Sequence, residues 1–140
     1  MELFEAYAHA LVALALYALM GQGLSVFVGI TRSGAGLGPG AMPAPDYSNR
    51  VYRICRSYHN TVDNAGTLAA AIAAAILLGA APFWVNLFAS LAVAARLAFV
   101  LIYVWGVGAE DNGPRSFLYI FNSLMTILIA LMAVISGFAA

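Results

Sequence analysis

Two stretches without a single Asp, Glu, Lys or Arg constrain this chain more than anything else in it. The first runs 26 residues from Ala6 to Thr31, and the second runs 32 residues from Asn64 to Ala95. A helix needs about 20 mostly apolar residues to cross the hydrocarbon core of a bilayer. The first run therefore reads as one crossing. The second exceeds a typical crossing and carries Gly79 and Pro82 near its middle, residues that turn a chain and start a new helix. Of the 140 residues, 64% are hydrophobic and 9% are charged, against roughly a quarter charged in an average soluble domain. The chain reads as an integral membrane protein.

Taken in order, the pattern predicts four helices, at about residues 5–31, 50–78, 82–107 and 115–139, forming one all-α membrane domain over residues 1–140. The N-terminus carries Glu2 and Glu5 and no basic region, so the first apolar run is expected to be a retained helix and not a signal peptide. After Arg32 comes SGAGLGPGAMPAPDYSN, too rich in Gly and Pro to hold a helix or to satisfy its own backbone in lipid. Asp46, Tyr47, Ser48 and Asn49 are all placed to cap the helix that follows. Gly106 to Pro114 forms the last connection.

Polar residues fall in two stripes. Arg53, Arg56, Asn60, Asp63, Asn64 and Thr67 share roughly a third of the circumference of the second predicted helix. Arg115, Tyr119, Asn122 and Thr126 share a face of the fourth, with Ser116 and Ser123 on its flank. Arg96 sits mid-helix in the third, where a bare guanidinium is costly, and Asp63 is the expected partner. Ionisable groups at membrane depth usually mark a site. The plainer reading is snorkelling arginines at a helix start, Arg96 as a helix tie, and Tyr103 and Tyr119 as boundary aromatics. His9 and His59 read as headgroup-level histidines, and Cys55 as a packing residue.

Arg32, Arg50, Arg53, Arg56 and Arg115 belong to the side of the first and third connections, and the opposite ends carry no Lys or Arg. The positive-inside rule then puts the termini outside or in a lumen and the arginine-rich mouth in the cytoplasm. Six basic residues balance six acidic ones, which gives no basic surface for nucleic acid. No zinc motif, phosphate loop or Ser, His, Asp set is apparent, and no metal site is expected. Fixed arginines with an amide, a carboxylate and a serine suit a small polyanion bearing carboxylates and an amine. Membrane lipid gives a second, lipophilic reactant access to the same mouth. Any nucleophile would arrive with the substrate, and Arg115 with Ser116, at a helix start, can stabilise a thiolate.

The succession Arg53-x-x-Arg56-x-x-x-Asn60-x-x-Asp63, then Arg96 with Tyr103 seven residues on, then Arg115-Ser116 with Tyr119, resembles the membrane-associated proteins in eicosanoid and glutathione metabolism (MAPEG). The resemblance implies a homotrimer of four-transmembrane-helix bundles, with glutathione bound between subunits near the cytoplasmic face. By position, Arg53, Arg56, Asn60, Asp63, Arg96, Tyr103 and Tyr119 would contact glutathione. Arg115 would activate its thiolate, with Ser116 the neighbouring hydroxyl. Three departures stand out: Asp63 where glutamate is usual, His59 where a second arginine or another polar residue is common, and Phe99 where prostaglandin-forming members carry histidine. The resemblance implies a glutathione transferase or peroxidase of lipophilic acceptors, with glutathione as cosubstrate. The alternative is a non-catalytic lipid- or partner-binding membrane protein of the same fold.

Overall fold

The computed structural model describes residues 2–108 and 113–139, all helix and connection. The helices are α1 (Glu2–Ala6), α2 (Ala8–Gly34), α3 (Arg50–Leu77), α4 (Pro82–Trp105) and α5 (Pro114–Ala139). The acidic tip of the last connection, Glu110 and Asp111, lies outside the described residues.

The first predicted helix is two pieces, because a side chain from elsewhere enters its hydrogen-bond ladder. Asn86 of α4 donates from Nδ2 to the Ala6 carbonyl at 2.8 Å and accepts from the Ala10 amide at 2.9 Å. These are the two groups that an unbroken helix would join to each other. Tyr7, at the break, is buried and donates its hydroxyl to the Ala80 carbonyl. At its other end α2 outruns the expected Thr31 and stops at Gly34, where the Ala35 amide bonds the Thr31 and Arg32 carbonyls.

Asn49 is the residue that caps α3, accepting from the Val51 amide at 2.8 Å. Just before it, Asp46 accepts from the Ser48 amide and hydroxyl at 2.9 and 2.7 Å. The α3–α4 turn uses Gly79 at φ +67° and Pro82 as the first residue of α4. Gly106, at φ +70°, closes α4.

Both α3 and α4 pack against α2, α5 and each other. The shared core is built largely of small residues, including Ala10, Ala13, Ala71, Ala75, Ala89, Ala92 and Ala133, which let helix backbones approach closely. Large apolar side chains such as Leu19, Ile30, Ile127 and Ile135 face outward. Three helices, α2, α4 and α5, are long and apolar enough to cross a membrane. The fourth crossing expected from the sequence falls on α3, which is longest at 28 residues but is not among them. Its first half carries the polar stripe, which lowers its mean hydropathy.

Candidate functional site

The two stripes converge. A cavity of about 400 Å³ lies between the N-terminal half of α3, the C-terminal half of α4 and the start of α5, lined by Arg56, Asn60, Phe99, Tyr103, Arg115, Ser116, Tyr119 and Ile120. Six of the nine residues singled out in the sequence are in this wall. The spacing explains the convergence: Arg56 and Asn60, Phe99 and Tyr103, Arg115 and Tyr119, and Ser116 and Ile120 each stand four apart on their helix.

Arg115 and Ser116 occupy the first turn of α5, which contains no acidic residue. A helix start carries partial positive charge on its first-turn amides, and both residues line the cavity. The Arg115 guanidinium carbon is 4.2 Å from the ring centre of Tyr47 and 4.9 Å from that of Tyr103. Its Nη1 is buried without a hydrogen-bond partner among the described residues. The result is a localised, partly dehydrated cation beside a hydroxyl at a helix start, suited to an anion that enters the cavity.

Arg96 forms the floor and does not reach the cavity surface. It is fully buried, with its guanidinium carbon 5.0 Å from the Phe99 ring and 5.7 Å from the Tyr119 ring. The expected pair with Asp63 is replaced by amide partners. Nη2 donates to Asn122 Oδ1, and Nη1 donates to the Asn60 carbonyl at 3.4 Å. Asn122 in turn donates to the Ala92 carbonyl at 2.9 Å. Asp63 is exposed on α3 and makes no ion pair with Arg96 among the described residues.

Arg53 is likewise outside the cavity wall. Its Nη1 donates to the carbonyls of Tyr47 and Ser48, both at 2.8 Å, so it fastens the α2–α3 loop to α3. Cys55 is buried against Val28 and Ile54. Arg32 lies apart, with Nη2 at 3.1 Å from Met42 Sδ. Among the described residues no group of three or more His, Cys, Asp or Glu is placed to hold a metal ion.

The family model named MAPEG family matches residues 10–135. The chain belongs to the MAPEG family. No curated protein and no solved structure matches it. Membership in MAPEG suggests a membrane protein with a glutathione-related function, in keeping with the three apolar helices. In this MAPEG chain the sequence reading overlooked Tyr47, considered only as a helix cap, as a neighbour of Arg115. The one signal available was that Tyr47 is the sole aromatic residue of the loop between α2 and α3.

Proposed function

We propose that this MAPEG protein is a membrane-bound glutathione transferase or peroxidase acting on lipophilic electrophiles, with glutathione as cosubstrate. The observation that carries the reading is the Arg115 guanidinium, with Nη1 unpartnered, next to Ser116 in the first turn of α5 and beside a cavity of about 400 Å³. In conjugation the glutathione thiolate forms a carbon–sulfur bond to the electrophile as the carbon–halogen bond breaks and halide leaves. In peroxide reduction two glutathiones become the disulfide while the peroxide becomes alcohol and water. Both begin with a thiolate, and a nearby cation and helix dipole favour that form over the thiol.

Arg56, Asn60, Tyr103 and Tyr119 are then the groups that bind the peptide's carboxylates and amides. Asp63, exposed on the same helix, completes the site only if the cavity lies against a second protomer, which favours a homotrimer of four-helix membrane bundles. Arg96 supports the floor through Asn122, and Arg53 supports the wall. The acceptor reaches the mouth from the lipid. The excess of arginine at Arg32, Arg50, Arg53, Arg56 and Arg115 favours a mouth on the cytoplasmic side with the termini on the other.

The test is turnover of a chloronitrobenzene acceptor by the detergent-solubilised chain. Arg115→Ala is expected to lower kcat by about 100-fold or more, the usual scale for losing one charge-stabilising group, with a much smaller change in glutathione affinity. Unchanged turnover would refute the assignment. A second reading, a non-catalytic lipid or partner binder, is favoured by Phe99 in the cavity wall and by Asp63 outside it. Titration calorimetry separates the two, since that reading requires no saturable heat with glutathione.

A further inference from the structure

The cavity is bounded by three helices, yet the aromatic ring nearest to its Arg115 belongs to none of them. Tyr47 stands on the α2–α3 loop, with its ring centre 4.2 Å from the Arg115 guanidinium carbon. It meets the Tyr103 ring edge-on at 5.7 Å, with the planes 76° apart. Among the described residues its hydroxyl is buried and has no hydrogen-bond partner, like Arg115 Nη1. A loop tyrosine at a membrane surface would ordinarily keep its hydroxyl in water. This one is turned inward at the cost of a hydrogen bond.

What turns it inward is Arg53. The Arg53 guanidinium accounts for the Tyr47 and Ser48 carbonyls and lies 5.7 Å from the Tyr47 ring. Glycine at position 106 leaves it room there: a Cβ at that position would come within 2.8 Å of Arg53 Cζ. Asp46 holds the loop from the other side through Ser48. A run of contacts therefore leads from the end of α4, through Gly106, Arg53 and Tyr47, to Arg115 at the start of α5.

We infer that Tyr47 is a positioning residue of the site, whose ring sets the direction of the Arg115 guanidinium, and that Arg53 acts through the Tyr47 backbone and not on the ligand. The functional half of this inference rests on Arg115 being the sulfur-holding group. An arginine side chain has many rotamers, and a ring beside the guanidinium selects among them with a bias of roughly twofold to thirtyfold for contacts of this kind. Among the described residues, the other charged or titratable groups around the cavity are Arg56 on α3, Arg96 and Tyr103 on α4, and Tyr119 on α5, with Tyr52 of α3 close to Tyr103.

The experiment compares the full wild-type chain in detergent with Tyr47→Phe, Tyr47→Leu and Arg53→Gln. The first readout needs no ligand: the rate at which phenylglyoxal modifies Arg115, followed by peptide mass spectrometry with exposed Arg50 as reference. Tyr47→Leu and Arg53→Gln are expected to raise the Arg115 rate several-fold, and Tyr47→Phe to leave it unchanged. The second readout is the ultraviolet absorbance of bound glutathione thiolate against pH, with kcat and KM. Tyr47→Leu is expected to move the thiolate titration to higher pH and to lower kcat about threefold to thirtyfold at nearly constant KM, while Tyr47→Phe behaves as wild type. A Tyr47→Phe variant as impaired as Tyr47→Leu would overturn the inference, since the hydroxyl and not the ring would be at work. An Arg115 rate unmoved by both Tyr47→Leu and Arg53→Gln would also overturn it. If Tyr47→Leu does not fold, Arg53→Gln carries the same comparison. A wild-type chain with no thiolate signal would defeat the proposed function, and the modification rates would still decide whether Tyr47 positions Arg115.

Discussion

Replacing Asn122 with leucine isolates the cost of leaving a buried cation without its acceptor. Both side chains are enclosed, Arg96 at 0% and Asn122 at 1% exposure. Among the described residues, Nη2 of Arg96 donates to Asn122 Oδ1, Nη1 to the Asn60 carbonyl at 3.4 Å, the Tyr17 hydroxyl stands close by, and Nε has no partner. A hydrogen bond to a charged group contributes about 1.5–3 kcal/mol and an ordinary one about 0.5–1.5 kcal/mol. Asn122→Leu removes one of each, counting the bond to Ala92. The expected destabilisation is therefore about 2–4.5 kcal/mol, a fall in melting midpoint on the order of 10 °C for a chain of this size. Thermal unfolding in detergent, followed by circular dichroism, measures it. Adding Arg96→Met removes the stranded charge and is expected to restore at least half of the loss, since apolar replacement of a whole buried polar pair is often neutral. An unchanged midpoint for Asn122→Leu, or a double variant less stable than the single, would refute the reasoning.

Asp63→Asn removes a carboxylate that is exposed, so it is expected to leave the same melting midpoint within about 2 °C, since surface substitutions usually change stability by less than about 0.5 kcal/mol. Gly79 and Gly106 have nearly equal φ, +67° and +70°, but only Gly106 has a neighbour that a Cβ would strike. Gly79→Ala is expected to cost about 1 kcal/mol from backbone strain, and Gly106→Ala clearly more, in parallel melting curves. Asp46 is held below the usual carboxylate range, first by the Ser48 hydroxyl and then by the Ser48 amide. A lowered folded value means that its contribution is fully present above the ordinary carboxylate value and is lost as pH falls through the folded one. The stability gap between wild type and Asp46→Ala should thus be constant near neutrality and close below about pH 4, as followed by unfolding at a series of pH values.

Local punctuation made much of the helix plan legible. Pro82 starts α4, Gly79 and Gly106 sit in left-handed turns, and Asn49 caps α3, all features that a sequence displays directly. The break at Tyr7 was not legible, because Asn86, 76 positions from Ala10, produces it. The gathering of Arg56, Asn60, Tyr103, Arg115, Ser116 and Tyr119 followed from helical spacing once their order was noticed. Spacing gives a face but not a partner. It could not choose between Asp63 and Asn122 for Arg96, nor show that Arg53 bends back to a loop while Arg56, three residues on, faces the cavity. Tyr47 escaped for the same reason: loop conformation has no period from which to read a direction.

The lone guanidinium in the middle of α4 also bears on how the chain is made. A helix entering hydrocarbon with an arginine at its centre incurs about 2.5–3.5 kcal/mol on insertion scales, and among the described residues α4 itself supplies the Phe99 ring but no hydrogen-bond acceptor for it. The carboxamide that accepts from it comes on the next helix, 26 residues later. The two hydrophobic segments are therefore favoured to leave the translocation machinery as a hairpin, with α4 held at the lateral exit until α5 has been synthesised.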